Sequence, residues 1–212
     1  MSYRIFQVNQ IELSKLLDEY ASNSDLALSL SSNREKLDDL FREITRLLHN
    51  FLAAAKTLVD HTRVFYNEEY KGTEFEKDYN SKIKGNFIDI PISKFVQDLR
   101  NYILHKTLPI AGATLSFNMG AGISHSITLD AKSLKEWDKW TSKSKEYLES
   151  IPEDRIILKD VVDGYANQVT EFYSWFGDKQ KEIHSKDIEE LHKLQAKQKE
   201  LYKKAGWDDM LI

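Results

Sequence analysis

Three side chains that could together cut a phosphodiester stand close to one another in the middle of the sequence: Arg100, Asn101 and His105. An arginine carries a permanent charge on a planar fork of donors, which can hold a phosphate. A histidine titrates near neutral pH and can take or give a proton. A cation, an amide and an imidazole on one helix are therefore enough, in principle, to cut RNA without a metal ion.

The residues around this motif predict an amphipathic helix. Apolar residues recur at three- and four-residue spacing. The helix should begin at about Pro91 to Ser93, since proline is tolerated in a first turn and serine can cap a helix. It should end before Pro109, because the residue before a proline is pushed out of helical space. The face expected to lie in the core consists of Ile92, Phe95, Val96, Leu99, Tyr102 and Ile103.

The opposite face of the predicted helix carries the motif. At about 100° per residue, Arg100 and His105 lie on its two edges, roughly 140° apart. Asn101 and Leu104 lie between them. An apolar residue in the middle of a polar face indicates that something covers the face, and a second copy of the same helix is the simplest cover.

The motif resembles that of the HEPN superfamily, in which an Arg, then Asn, Asp or His, and a His four to six residues after the Arg lie on a late helix of an all-α bundle. The likeness is to bacterial members of unassigned role and extends over about residues 41–109. An extended form of the motif has a Tyr two residues after the His, where this chain has Thr107, so the subfamily stays open. The runs that share the likeness are Phe95-Val96-Gln97-Asp98-Leu99, Leu108-Pro109 and Leu58-Val59-Asp60-His61-Thr62-Arg63.

The resemblance implies a composite site, in which two copies of the motif meet across a homodimer interface. It also implies an RNA product with a 2′,3′-cyclic phosphate, formed without a metal. In that chemistry His105 deprotonates the ribose 2′-hydroxyl or protonates the leaving 5′-oxygen. Arg100 neutralises the phosphorane-like transition state, and Asn101 orients the histidine or the phosphate. Leu104 is the candidate interface residue.

The same residues also fit a structural interpretation. Arg100 could pair with a carboxylate such as Asp98 of a partner chain. His105 could simply cap the C-terminal end of its helix, where a cation is favoured.

Supporting residues for the site come from an upstream helix. Asp60, His61 and Arg63 could assist the motif, or His61 could be a buried, hydrogen-bonded histidine and Arg63 a helix-surface residue. The sequence offers neither a metal-ligand set nor a glycine-rich phosphate loop, so we expect no metal and no cofactor.

The composition predicts a soluble cytoplasmic protein without membrane contact. Its 212 residues, 41% of them hydrophobic, are enough for one sizeable core. The chain has no cysteine, which excludes disulfides and cysteine-ligated zinc. No apolar run approaches a membrane span, and the first residues lack the apolar core of a signal peptide. The net charge of −4 argues against a broad basic surface, so any RNA contact must be local.

We predict a mainly α fold, an antiparallel helical bundle of HEPN type in a single domain over residues 1–212. The expected helices cover about residues 11–21, 37–65, 70–84 and 91–108, with a loop at 29–33. One β-hairpin is expected at residues 113–129, turning at Gly120-Ala121-Gly122, because polar and apolar residues alternate there. A further helix follows Asp130, and a long C-terminal helical segment spans about residues 153–204, with a kink near Gly177.

The function expected from these observations is a homodimeric, metal-independent endoribonuclease of HEPN type, with a stress, toxin or antiviral role. A protein antitoxin or regulator is a further candidate partner. The alternative is a non-catalytic helical interaction or scaffold protein, in which the motif stabilises a dimer and the charged C-terminal helix recruits a partner. RNA cleavage that depends on His105 separates the two.

Overall fold

The computed structural model describes residues 1–106, 110–118, 122–152 and 154–205. This part of the chain is mainly helical with one small antiparallel sheet, which confirms the predicted fold class. The chain forms two compact units, Met1–Val169 and Thr170–Ile212. The prediction of one domain with a HEPN-type bundle stays a prediction.

The first unit contains α5, which carries the motif, and the helices that surround it in sequence. Between α4 and α5 the chain forms a π-helical turn, Lys84–Ile88. The helices are α1 (Ser2–Ser22), α2 (Ser24–Ser31), α3 (Arg34–Glu69), α4 (Phe75–Ile83), α5 (Pro91–His105), α6 (Ala131–Lys135), α7 (Ser142–Ser150) and the first part of α8 (Leu158–Ile183).

The centre of this unit is an aromatic contact between α1, α3 and α8. The ring of Phe6 lies 5.5 Å from that of Phe51 and 6.0 Å from that of Tyr165, measured between centroids. All three side chains are fully buried. On α3 the buried side chains between Ile44 and Leu58 recur at helical spacing and form one wide apolar face.

The N-terminal region differs from its prediction. The first helix begins at Ser2 rather than near residue 11, and α2 occupies part of the expected loop at residues 29–33. The two helices are separated by Asn23 alone, which has extended backbone angles and whose side chain accepts a hydrogen bond from the Leu26 amide at 2.9 Å. This N-cap ends one helix and starts the next without a longer loop.

The sheet contains the predicted hairpin and one further strand. The hairpin strands are β1 (Ile110–Asn118) and β2 (Gly122–Asp130), and residues 119–121 of the predicted turn lie outside the described part. The expectation of a single hairpin is wrong, because β3 (Arg155–Ile157) pairs antiparallel with β2 and makes the order β1-β2-β3. The sheet contacts α1, where the rings of Tyr20 and His125 are 6.1 Å apart.

The segments after the hairpin are also more divided than predicted. The single helix expected after Asp130 is two helices, α6 and α7. The C-terminal helical segment predicted at residues 153–204 is helical from Leu158 onward, in two helices, but its start differs because residues 155–157 form β3. The two helices are α8 and α9 (Ser185–Ala205). The interruption between them lies at His184 and not near Gly177, which is inside α8. Residue 153 and the predicted helix end at residues 107–109 lie outside the described part.

The second unit, described as far as residue 205, contains the rest of α8 and α9. The described residues of α9 are all exposed or half-buried, and Leu191, Leu194 and Leu201 are exposed. The partner-recruiting role predicted for the charged C-terminal helix stays a prediction. Among the described helices, none combines the length and the apolar character that crossing a membrane requires.

Candidate active site

The motif lies on α5, which has the buried face that its apolar spacing predicts. Pro91 takes the first helical position, where its missing N–H is not needed. Ser93 does not cap the helix as predicted. It lies inside the first turn, fully buried, and its hydroxyl donates to the Asn86 carbonyl at 3.3 Å. Of the predicted core face, four side chains are buried and two are half-buried, namely Phe95, Val96, Leu99 and Tyr102, then Ile92 and Ile103.

An aromatic cluster fixes this buried face of α5. The ring of Phe95 lies 5.4 Å from that of Trp140 and 4.7 Å from that of Tyr147. The ring of Tyr102 lies 5.7 Å from that of Trp140 and 5.4 Å from that of Trp137. Both tryptophans are buried in the core. Because large rings packed in this way restrict rotation of the helix, the outer face of α5 is held in a defined direction.

Asp98 on α5 caps the N-terminus of α7. Its Oδ2 accepts hydrogen bonds from the Thr141 amide at 3.0 Å, the Thr141 hydroxyl at 2.7 Å and the Ser144 hydroxyl at 2.6 Å. A carboxylate at a helix N-terminus pairs with amides that have no partner within the helix. Asp98 is thus engaged within its own chain and ties α7 to the motif helix.

The three motif side chains lie outside the core. Arg100 is half-buried, and Asn101 and His105 are exposed. Within the described part of the chain none of the three makes a hydrogen bond or an ion pair. His105 is the basic residue of the last turn of α5, so its role as a cation at the helix end stays an alternative. His105 is the last residue of α5, and Lys106 continues with extended backbone angles. A guanidinium, an amide and an imidazole are therefore all open to a ligand.

A single copy of α5 does not bring these groups onto one spot. Arg100 and His105 are separated by five residues, which corresponds to about 7.5 Å along the axis and roughly 140° around it. Leu104 lies between them on the polar face and is 54% exposed. A long arginine side chain can close this gap over a phosphate, and a second copy of the helix covering Leu104 would bring the groups of two protomers together.

The upstream candidates lie on α3 and are engaged with other residues. Asp60 forms an ion pair with Lys56, one helical turn earlier. The Nδ1 atom of His61 is hydrogen-bonded to the Ser2 hydroxyl on α1 at 2.6 Å, and its side chain is exposed rather than buried. Arg63 is exposed, as its surface interpretation predicted. Across the described residues no hydrogen bond or ion pair joins these three to the motif, so their supporting role stays a prediction.

A pocket of 510 Å³ lies beside His105 at the C-terminal end of α5. The sequence did not predict it, because its walls come from two separate segments, residues 102–106 and 133–139. The only feature of the sequence that hints at this pocket is the number of charged residues between α6 and α7. The pocket is lined by Tyr102, His105, Lys106, Ser133, Glu136, Trp137, Asp138 and Lys139.

The chemistry offered around α5 is acid–base and electrostatic. No group of three or more His, Asp or Glu side chains is arranged to hold a metal ion in residues 1–106, 110–118, 122–152 or 154–205. The available groups are the imidazole of His105, the charge of Arg100 and the mixed charges around the pocket. Such groups suit proton transfer and the binding of an anion.

No family model matches the chain, and no curated protein or solved structure matches it at a significant level. The likeness to the HEPN superfamily is therefore carried by the motif residues and their neighbours alone. The activity that the likeness implies is a proposal, supported by the geometry of α5.

Proposed function

We propose that the protein is a metal-independent endoribonuclease of HEPN type, active as a homodimer. The observation that carries the proposal is the contrast between the two faces of α5. Its inner face is locked into an aromatic core, whereas Arg100, Asn101 and His105 on its outer face are unpaired within the described chain. Side chains held on a rigid element and left without protein partners suit the binding of a ligand.

The proposed reaction uses the 2′-hydroxyl of the substrate as the nucleophile. His105 takes the hydroxyl proton, the 2′-oxygen attacks phosphorus and the bond from phosphorus to the 5′-oxygen breaks. The leaving oxygen takes a proton from the imidazolium or from water, and a 2′,3′-cyclic phosphate remains. Arg100 stabilises the charge that develops on the phosphoryl oxygens, and Asn101 orients the phosphate.

The proposed dimer accounts for the geometry of the motif. Two copies of α5 that meet at Leu104 would cover this exposed leucine on both protomers. Related by a twofold axis, Arg100 of one protomer would face His105 of the other. Each dimer would then contain two equivalent sites, each with a guanidinium and an imidazole from different copies.

The charge distribution supports a short RNA contact. The chain as a whole has a net charge of −4, but Arg100, His105 and Lys106 lie within seven residues of one another. Neutralising a few phosphates at one place needs only a local group of cations. A single-stranded loop is therefore a better substrate than a long duplex.

The test is cleavage of single-stranded RNA by the full-length protein in EDTA. His105→Ala should lower the rate about 100-fold or more, because a positioned acid or base contributes at least that much. Arg100→Ala should lower it by a similar factor. The matched controls are His49→Ala and Arg4→Ala, which remove an exposed imidazole and an exposed guanidinium from α3 and α1. They should cleave at the wild-type rate.

The alternative is a non-catalytic interaction protein, and the exposure of Leu104 favours it equally. An apolar residue flanked by unpaired polar groups also resembles the centre of a protein interface. In that case the wild type would show only trace cleavage, unchanged in His105→Ala, while both motif variants would weaken association. RNA with 2′-O-methyl groups gives a second distinction, since only the ribonuclease requires the free hydroxyl.

A further inference from the structure

The pocket beside His105 has a floor that is already formed. The rings of Tyr102 and Trp137 meet edge to face with centroids 5.4 Å apart, and both side chains are buried. Trp140 packs against both rings, 4.7 Å from that of Trp137 and 5.7 Å from that of Tyr102, and its indole N–H donates to the Leu134 carbonyl at 2.6 Å. A rigid aromatic floor suits a flat ligand, since little side-chain freedom is lost on binding.

The rim of the pocket carries charges of both signs. Glu136 and Asp138 are exposed carboxylates, and Lys106 and Lys139 are exposed ammonium groups. Within the described residues none of the four makes a hydrogen bond or an ion pair. By contrast, Lys143 on the neighbouring helix α7 pairs with its own i+3 carboxylate. The rim therefore offers both acceptors and donors to one ligand.

We infer that this pocket binds a guanine base of the RNA, next to the phosphate that is cut. The inference rests on the proposed function, because His105 lines the same pocket. Among the four RNA bases, guanine alone presents two adjacent N–H donors, N1 and N2, which match both oxygens of one carboxylate. Its O6 and N7 are adjacent acceptors that a lysine can bind. Both kinds of charge on the rim are then used by one base.

The dimensions and position agree with this ligand. A volume of 510 Å³ is within the range of small-molecule sites. Recognition of RNA commonly uses bases that are splayed out, placed against aromatic side chains and bound along their edges. Since His105 lies on the wall, a base in the pocket brings its ribose and phosphate to the imidazole. Arg100 does not line the pocket, and in the proposed dimer the phosphate at this His105 is held by the partner's Arg100.

The test measures binding without catalysis. The four nucleoside 3′-monophosphates are titrated by calorimetry into the full-length wild-type protein, which cannot cleave them because a 3′-monophosphate has no leaving 5′-oxygen. Guanosine 3′-monophosphate should bind about tenfold or more tightly than the other three, the discrimination expected of one good bidentate pair. The double variant Glu136→Gln, Asp138→Asn should lose this preference. Glu149→Gln, an exposed carboxylate outside the pocket, should keep it.

Equal affinity for all four nucleotides, no binding of any, or an unchanged preference in the double variant would each overturn the assignment of guanine. These results are separable from failure of the proposed function. Cleavage by the wild type without a preference for guanine would support the ribonuclease proposal and refute the guanine pocket. Guanine-specific binding without any cleavage would support the pocket and refute the ribonuclease proposal.

Discussion

Replacing Asp98 with Ala should cost about 2 kcal/mol of the free energy of unfolding. One oxygen of this carboxylate accepts three hydrogen bonds from the first turn of α7. Hydrogen bonds to a charged group contribute about 1.5–3 kcal/mol each when measured singly. Their loss is not additive, because the hydroxyls of Thr141 and Ser144 are 3.0 Å apart and keep each other as partners. The remaining loss is close to that of a strong N-cap, which is about 2 kcal/mol at most.

Urea denaturation followed by circular dichroism measures this loss. A loss of about 2 kcal/mol corresponds to a melting temperature lowered by roughly 4–8 °C in a chain of this size. Asp98→Asn keeps an oxygen acceptor without the charge and should lose less than Asp98→Ala. Glu149→Ala removes an exposed carboxylate of α7 and should stay within about 0.5 kcal/mol of wild type. An Asp98→Ala protein as stable as this control would refute the capping role.

Two further predictions concern association and alkaline stability. Leu104→Glu should shift a micromolar sample from dimer to monomer in sedimentation, whereas Leu201→Glu, an equally exposed leucine on α9, should not; a dimer in both would contradict the interface. Burial raises the pKa of Tyr147 to about 12, with a smaller effect of Asp160. An unfolded tyrosine has a pKa near 10. The contribution of the buried neutral Tyr147 to the free energy of unfolding is therefore fully present below about pH 10 and is lost between about pH 10 and 12. Tyr147→Phe should lose less stability over this interval in urea denaturation, and an unchanged loss would count against the burial argument.

The helices with wide apolar stripes could be predicted from the sequence because their burial repeats every three or four residues. On α3 and α5 this period identifies the buried face, and the hairpin is visible in the alternation of its side chains. The exposure of His105 follows from the same helical wheel. In each case the local pattern and the tertiary packing agree, as expected where one face meets one core.

The elements that were missed depend on contacts between distant residues. Strand β3 has three residues and exists because Ile156 pairs with Leu129 on β2. The break between α6 and α7 contains neither glycine nor proline, and it is held by Asp98 and by the Trp140 indole. Gly177 lies within α8, since a glycine costs a helix only about 1 kcal/mol. The pocket beside His105 likewise requires the folded chain.

The most direct test of the account is to mix two inactive variants, Arg100→Ala and His105→Ala, and measure RNA cleavage after their subunits have exchanged. If Arg100 of one protomer acts with His105 of the other, a mixed dimer has one site with both residues intact and one with neither. Random exchange makes about half of the dimers mixed, so activity should return to about a quarter of the wild-type level. Activity that stays at the level of the separate variants, although mass spectrometry shows mixed dimers, would contradict a site shared between two copies.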